Sequence, residues 1–316
     1  METEIKEGIL MQYTYTEPTL SKKGAQLRDL LVKYLDIFSH RLPDDVTKKL
    51  VEYSKIEVDP LQKIVYDTMM ENQRLAAEAD VPSCQDTGTL QFFVKVGTKF
   101  PLIDELNEIL VDATYQATKI APLRTNAVQT FDEYNTNINI GDGIPGIFTQ
   151  LVPHSSDIEI YPYMAGGGCT LPGVAKVLMP GEGYEGVTRF VMDRMTTYGV
   201  NACPPLLVGV GIGTSVETAA MNSKLALLRR VDSYSSNQRA AKMEHLLEDG
   251  INAIGLGPQG FGGKKSVMGV NIINTARHPS VIGVGVSTGC WSHRRGLIKL
   301  DQDLNYELPM NKGVEL

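Results

Sequence analysis

No apolar run in this sequence approaches the ~20 residues that a membrane-spanning helix requires. Basic residues are in the minority, with 30 Lys and Arg against 37 Asp and Glu and a formal net charge of −7. That balance argues against nucleic acid or an anionic membrane as a partner, while leaving room for a locally basic pocket. The N-terminus, METEIKEGILMQYTYTEPTL, lacks the basic and then apolar segments of a secretory signal, so a cytoplasmic protein is expected. Cysteine is sparse. Cys84, Cys169, Cys203 and Cys290 stand singly, with no CxxC pair among them. Unpaired spacing disfavours a structural zinc site, and a cytosolic setting disfavours disulfides. Nor is there an internal repeat, a low-complexity segment or a clear linker. With 42% hydrophobic and 21% charged residues, the chain is ordinary globular material.

Helical periodicity dominates the first eighty residues. Leu27, Leu30, Leu31, Tyr34, Leu35 and Phe38 recur at helical spacing. Asp59, Pro60 and Gln62 have the order of an N-cap, a first-turn proline and a capping-box partner. The helix they open is expected to bury Leu61, Ile64, Val65 and Met69, in the core or against another subunit. After residue 80, strands and helices alternate. LQFFVKVG, DIEIYPYM, LLVGVGIG, SVMGVNIIN and SVIGVGVST are strand-like. Helices are predicted around Leu102–Ala117, around Val187–Met195 with a stop near Gly199, and after a Thr214/Glu217 capping box. The expected architecture is α/β, with mixed sheets flanked by helices and a helical N-terminal part over residues 1–80. Residues 81–316 would form the α/β part of one domain.

Three cysteines lie at predicted strand ends. Cys84 in VPSCQDTG and Cys203 in NACPP precede strands, and Cys290 in STGCWSHRRG follows one. Such loops can converge on one edge of a sheet, where thiolates suit an iron–sulfur cluster or zinc. A cluster held by three cysteines leaves one iron open as a Lewis acid. Cys169, in YMAGGGCTLPG, is a possible fourth ligand by spacing alone. The glycines before it suggest backbone N–H groups facing an anion. Arg124 in LRTNAV can clamp a carboxylate, and His278 precedes the strand leading to Cys290. GVGIGTSVE lacks the G-x-G-x-x-G spacing of a dinucleotide turn and GPQGFGGKK lacks that of a phosphate loop, so both are taken as structural.

Taken in order, CQDTG, LRTNAV, AGGGC, NACPP, GPQGFGG and STGCW resemble the iron–sulfur hydro-lyase family of class I fumarases and L(+)-tartrate dehydratases. The likeness spans roughly residues 25–305, and YMAGGGCTLPG and STGCWSHRRG are closer to the dehydratase alpha-subunit branch. The resemblance implies a 4Fe–4S cluster on Cys84, Cys203 and Cys290, with Cys169 not a ligand. It implies a pocket lined by Gln85, Asp86, Arg124, Gly166, Gly167, Gly168 and His278, with Asp86 and His278 as catalytic candidates. It also implies a separate beta subunit completing the site in an α2β2 assembly, because the chain ends soon after Cys290. The expected reaction is dehydration of L(+)-tartrate to oxaloacetate. Interconversion of malate and fumarate is the alternative within the family. A non-catalytic iron–sulfur protein and a zinc hydrolase are the alternatives outside it.

Overall fold

The computed structural model describes residues 13–316, so the reading of the first twelve lies outside the described part. The leucine spacing of residues 27–38 does form a helix, α1 (Lys22–His40). Ser21 caps it, accepting from the Gly24 N–H at 3.0 Å. Leu27, Leu31, Tyr34, Leu35 and Phe38 are buried along one face. Each such side chain contributes roughly 1.5–3 kcal/mol by leaving water. α2 (Asp44–Ile56) follows Pro43, and α3 (Pro60–Ala79) opens on Asp59, whose carboxylate accepts from Leu61 N.

The two expected capping boxes are not formed. Gln62 does not reach back to the α3 cap; its Nε2 donates to Phe261 O at 2.7 Å. That tertiary bond turns the buried stripe of α3 toward Gln62, Tyr66, Met69 and Ala76, leaving Leu61 and Ile64 exposed. The Thr214/Glu217 box is not formed either, since α7 (Val216–Leu227) starts one residue later with Ser215 at the cap position. The Thr214 hydroxyl accepts instead from His278 N.

The remaining strands and helices build two mixed sheets. The first sheet runs β12 (Tyr306–Glu307), β11 (Ile298–Leu300), β5 (Ile158–Ala165), β1 (Thr89–Gly97), β4 (Gly146–Val152), with β10 (Arg294–Arg295) also on β5. Only the β1–β4 pair is parallel. The second runs β6 (Val174–Leu178), β9 (Ile282–Gly289), β7 (Leu206–Gly213), β8 (Val267–Asn274), with β7 and β8 parallel. A short ribbon, β2 (Val128–Gln129) with β3 (Tyr134–Asn135), projects from the loop after α4 (Leu106–Ile120). The one-turn α5 (Gly167–Thr170) joins β5 to β6 and so links the sheets, while α6 (Gly183–Tyr198) and α8 (Gln238–Ile254) flank the second.

Each sheet has its own apolar core. Leu90, Phe92, Val94 and Val96 alternate along β1 and pack with α1 and α4. The second core gathers β7, β8 and β9 with α2, α3, α6, α7 and α8. The three N-terminal helices therefore divide between the two cores. In GVGIG, glycine serves close packing, as expected. A Cβ on Gly209 would lie 2.2 Å from Ser223 O, and one on Gly211 would lie 1.9 Å from Ala219 O, both on α7. The GPQGFGG loop is likewise structural, with Gln259 N donating to Pro204 O beside Cys203 at 2.8 Å. Among the described residues, no helix is long and apolar enough to cross a membrane.

Candidate functional site

Strand register brings the cysteine loops together. Thr89 at the start of β1 pairs with Ala165 at the end of β5, so the Cys84–Gly88 turn lies beside Gly166. Leu207 at the start of β7 pairs with Gly289 at the end of β9, so Cys203 and Cys290 lie at the same edge. Trp291 N donates to Cys203 O at 3.1 Å across that edge. α5 sits where the two sheets meet, held by a 2.6 Å bond from the Thr288 hydroxyl to Cys169 O.

Electrostatic interactions link Cys203 to Cys84 and Cys169, and Cys290 to Cys169 and Cys84. Burial raises the Cys203 thiol first, and the charges of Cys84, Cys169 and Asp86 add to the effect. Cys290 hydrogen-bonds Cys169, which draws the Cys169 thiol down to about 7, with help from the positive charge of Arg294. The same bond, with burial, keeps the Cys290 proton on well above the ordinary thiol range. A metal here must displace that proton. As a thiol, Cys169 donates to Gly166 O at 3.3 Å. It is buried, whereas Cys84, Cys203 and Cys290 are each partly exposed. Cys203 has φ 57°, a left-handed conformation uncommon for a residue with a side chain.

Asp86 is anchored by backbone. Its Oδ1 accepts from Gly88 N at 3.1 Å and its Oδ2 from Gly167 N at 2.9 Å. Its own carbonyl accepts from Arg294 Nη2 at 2.7 Å. The carboxylate packs so closely on Gly166 that a Cβ there would lie 2.4 Å from Oδ2. The expected anion-facing glycine run thus takes the protein's own carboxylate. It is a helical turn, not a loose loop, and the Thr170 hydroxyl is spent on Gly166 O. Arg124 is exposed, with its backbone N donating to the Thr87 hydroxyl and its carbonyl accepting from Asn139 Nδ2, so it stands beside Asp86. Gln85, Gly167 and Gly168 are exposed at the same edge.

His278 does not join them within this chain. It is exposed in the turn before β9, near Thr214 at the end of β7, whereas Cys290 follows the other end of β9. Eight strand residues separate the two ends, about 26 Å at ~3.3 Å per residue.

Three basic groups near the thiols were not singled out from the sequence. Arg294 is 2% exposed, and its Nε has no hydrogen-bond partner. Its signal lay in the HRR run after Cys290. Lys224, on α7, lies over the Tyr163 ring, and burial lowers its pKa while the charge of Cys169 opposes the shift. Its only signal was being the one basic residue of α7. Together Arg294 and Lys224 supply positive charge where thiolates and an anionic cluster would need it. His293 is 1% exposed and held to Leu227 O at 2.8 Å. Its ring occupies the space over Gly289, where a Cβ would lie 2.1 Å from Nδ1.

Burial, aided by Arg295, pushes the His293 pKa down to about 3. The unfolded chain, with an ordinary histidine pKa near ~6.5, binds this proton between the two values and the native state does not. Stability from this group is therefore full above about pH 6.5 and falls by up to ~1.4 kcal/mol per pH unit as pH drops toward 3. Urea unfolding at about pH 7 and about pH 5.5 measures this slope. His293→Asn should flatten it, and an unchanged slope would reject the buried neutral imidazole as its source.

Comparison with known proteins identifies the family. A family profile described as Fumarate hydratase (Fumerase) matches residues 28–299. L(+)-tartrate dehydratase subunit alpha of Escherichia coli (strain K12) is 53% identical over 282 residues, which cover 89% of this chain and 93% of that protein. The same figures hold for the protein of that name in Shigella sonnei (strain Ss046). A putative L(+)-tartrate dehydratase subunit alpha of Methanocaldococcus jannaschii is 32% identical over 284 residues, covering 88% of this chain and all of that protein. Matched to the profile over residues 28–299, and to these relatives over nearly their whole length, the chain belongs to the fumarate hydratase (Fumerase) family.

Proposed function

We propose that the chain is the alpha subunit of an iron–sulfur hydro-lyase that dehydrates L(+)-tartrate to oxaloacetate. The observation that carries this reading is the convergence of Cys84, Cys203 and Cys290 at one edge with the backbone-anchored carboxylate of Asp86. The donor set fits a 4Fe–4S cluster. Cys84, Cys203 and Cys290 gather at one edge, and the orphaned Nε of buried Arg294, with Lys224, offsets negative charge. Cys84, Cys203 and Cys290 would hold the cluster, and Cys169 would lie beside it. When bound, such a cluster supplies a Lewis acid that makes a substrate hydroxyl a better leaving group.

The chain's own residues do the rest. Arg124 clamps one substrate carboxylate. Gln85 and the exposed Gly168 orient the substrate at the same edge, beside Gly167, whose N–H holds Asp86. Asp86, fixed by two N–H groups, holds or accepts the proton lost from C3 as the C2 hydroxyl leaves. The enol so formed tautomerises to oxaloacetate. No step is given to His278 of the same chain, which lies at the far end of β9. The alpha-subunit names of the relatives support a beta partner, and an α2β2 assembly in the cytoplasm is the arrangement proposed.

Tartrate differs from malate by a C3 hydroxyl. A site that satisfies that hydroxyl leaves a polar partner unpaired when malate binds. With the reconstituted two-chain enzyme under anaerobic conditions, kcat/KM should favour L(+)-tartrate over malate by at least about tenfold. A preference for malate would reassign the chain to fumarate chemistry and leave the cluster proposal standing. One observation favours a second reading, the hydrogen bond between Cys169 and Cys290. A four-cysteine cluster with no open iron would make the chain a non-catalytic iron–sulfur protein.

A further inference from the structure

We propose that Asp36, His40 and Asp80 form a binding site for one divalent first-row transition ion, where the end of α1 meets the turn after α3. Asp36 and His40 are four residues apart on the last turns of α1 and face the same way. Asp80 ends α3 in a left-handed conformation, φ 54°, which carries its carboxylate to the same place. One ligand atom from each of the three lies within 4.8 Å of the others.

The second, independent sign is the imidazole. His40 is only 5% exposed, yet its Nδ1 has no hydrogen-bond partner. It points between Asp80 Oδ1 at 3.5 Å and Asp36 Oδ1 at 4.0 Å. A buried ring nitrogen with two carboxylates at ion-pair distance but no hydrogen bond is costly, and a cation among the three would satisfy it. Tetrahedral ligands ~2.0–2.2 Å from a metal are themselves about 3.3–3.6 Å apart, so small rotations close the set, and Asp80 is exposed enough to make them.

Imidazole with two carboxylates selects manganese, iron or zinc over magnesium or calcium, which prefer all-oxygen shells. This site contains no thiol and does not depend on the cluster proposal. Its place has a consequence. Ser83 N donates to Ser39 O at 3.1 Å, so His40 and Cys84 each lie one residue from a shared contact. An ion here would tie α1 to the start of the Cys84 turn.

Manganese(II) is the probe, because carboxylate and imidazole suit it and thiolate does not. Calorimetric titration of the full chain with Mn(II) alone should give one ion per chain and raise Tm. His40→Gln and Asp36→Asn should each weaken binding by about tenfold or more. Asp80→Asn, at a position exposed to solvent and outside the core, should weaken it too, while Cys84→Ser should bind as the parent does. No binding at about millimolar Mn(II), or equal affinity in the parent and Asp80→Asn, would overturn the site.

Discussion

Replacing Cys84, Cys203 or Cys290 with serine is expected to leave anaerobically reconstituted protein without iron and without dehydratase activity. Cys169→Ser should keep about four irons per chain, the stoichiometry of a cubane cluster. Exposure and backbone conformation set these three cysteines apart. Cys84, Cys203 and Cys290 are partly open at the edge where β1 and β7 begin and β9 ends, whereas Cys169 is 7% exposed and turned to Gly166 O. Cys203 holds a left-handed backbone that costs a non-glycine residue on the order of 1 kcal/mol or more, and such positions cluster at functional sites. Cys169 still matters, because its bond to Cys290 sets the protonation of a proposed ligand. Cys169→Ser is therefore expected to change how readily the cluster assembles, not its iron count. Iron analysis decides the matter: loss of iron in Cys169→Ser would establish four ligands and remove the open iron on which dehydration depends.

Asp45→Ala should destabilise the protein by about 3–5 kcal/mol. Asp45, on the first turn of α2, pairs with Arg295 on β10, five residues after Cys290, and both side chains are 0% exposed. Its Oδ2 also accepts from Val231 N at 2.7 Å. Removing the carboxylate leaves a guanidinium in the interior with only the Leu228 carbonyl in hydrogen-bonding reach of its Nε. An unpaired buried charge is far more costly than a missing pair. Asp45→Leu with Arg295→Met, which removes both charges, should therefore recover most of the loss. Urea denaturation gives both values, and the expected loss is a large part of a typical folding free energy of ~5–15 kcal/mol. A loss below about 1 kcal/mol for the single change would show that water or a rearranged partner reaches Arg295.

Much of the secondary structure was legible because it is locally driven. The Leu27–Phe38 spacing can bury its apolar side chains only as a helix, and Asp59-Pro60 starts α3 through a bond two residues away. The glycines of LLVGVGIG were read correctly as structural, although only the structure gives the reason, the backbone of α7 lying against them. Where a local signal competed with a distant group, the distant group prevailed. Gln62 bonds Phe261 O and turns α3, and Thr214 serves His278 N in place of a helix cap.

For the candidate site, the sequence by itself determined which residue types exist in which loops. Cys84 and Cys203 before strands, Cys290 after one, and Asp86 two residues beyond Cys84 all follow from local pattern. Only the tertiary structure decided which of these loops share an edge, because strand direction and register are set by pairing between distant segments. Register put Cys203 beside Cys290 and Asp86 beside Gly167. It also put His278 a full strand length from the thiols, since a residue before a strand and one after it lie at opposite ends. Lys224 and Arg294 reached the thiols through α7 packing and the β10–β5 pairing, contacts that no local spacing encodes.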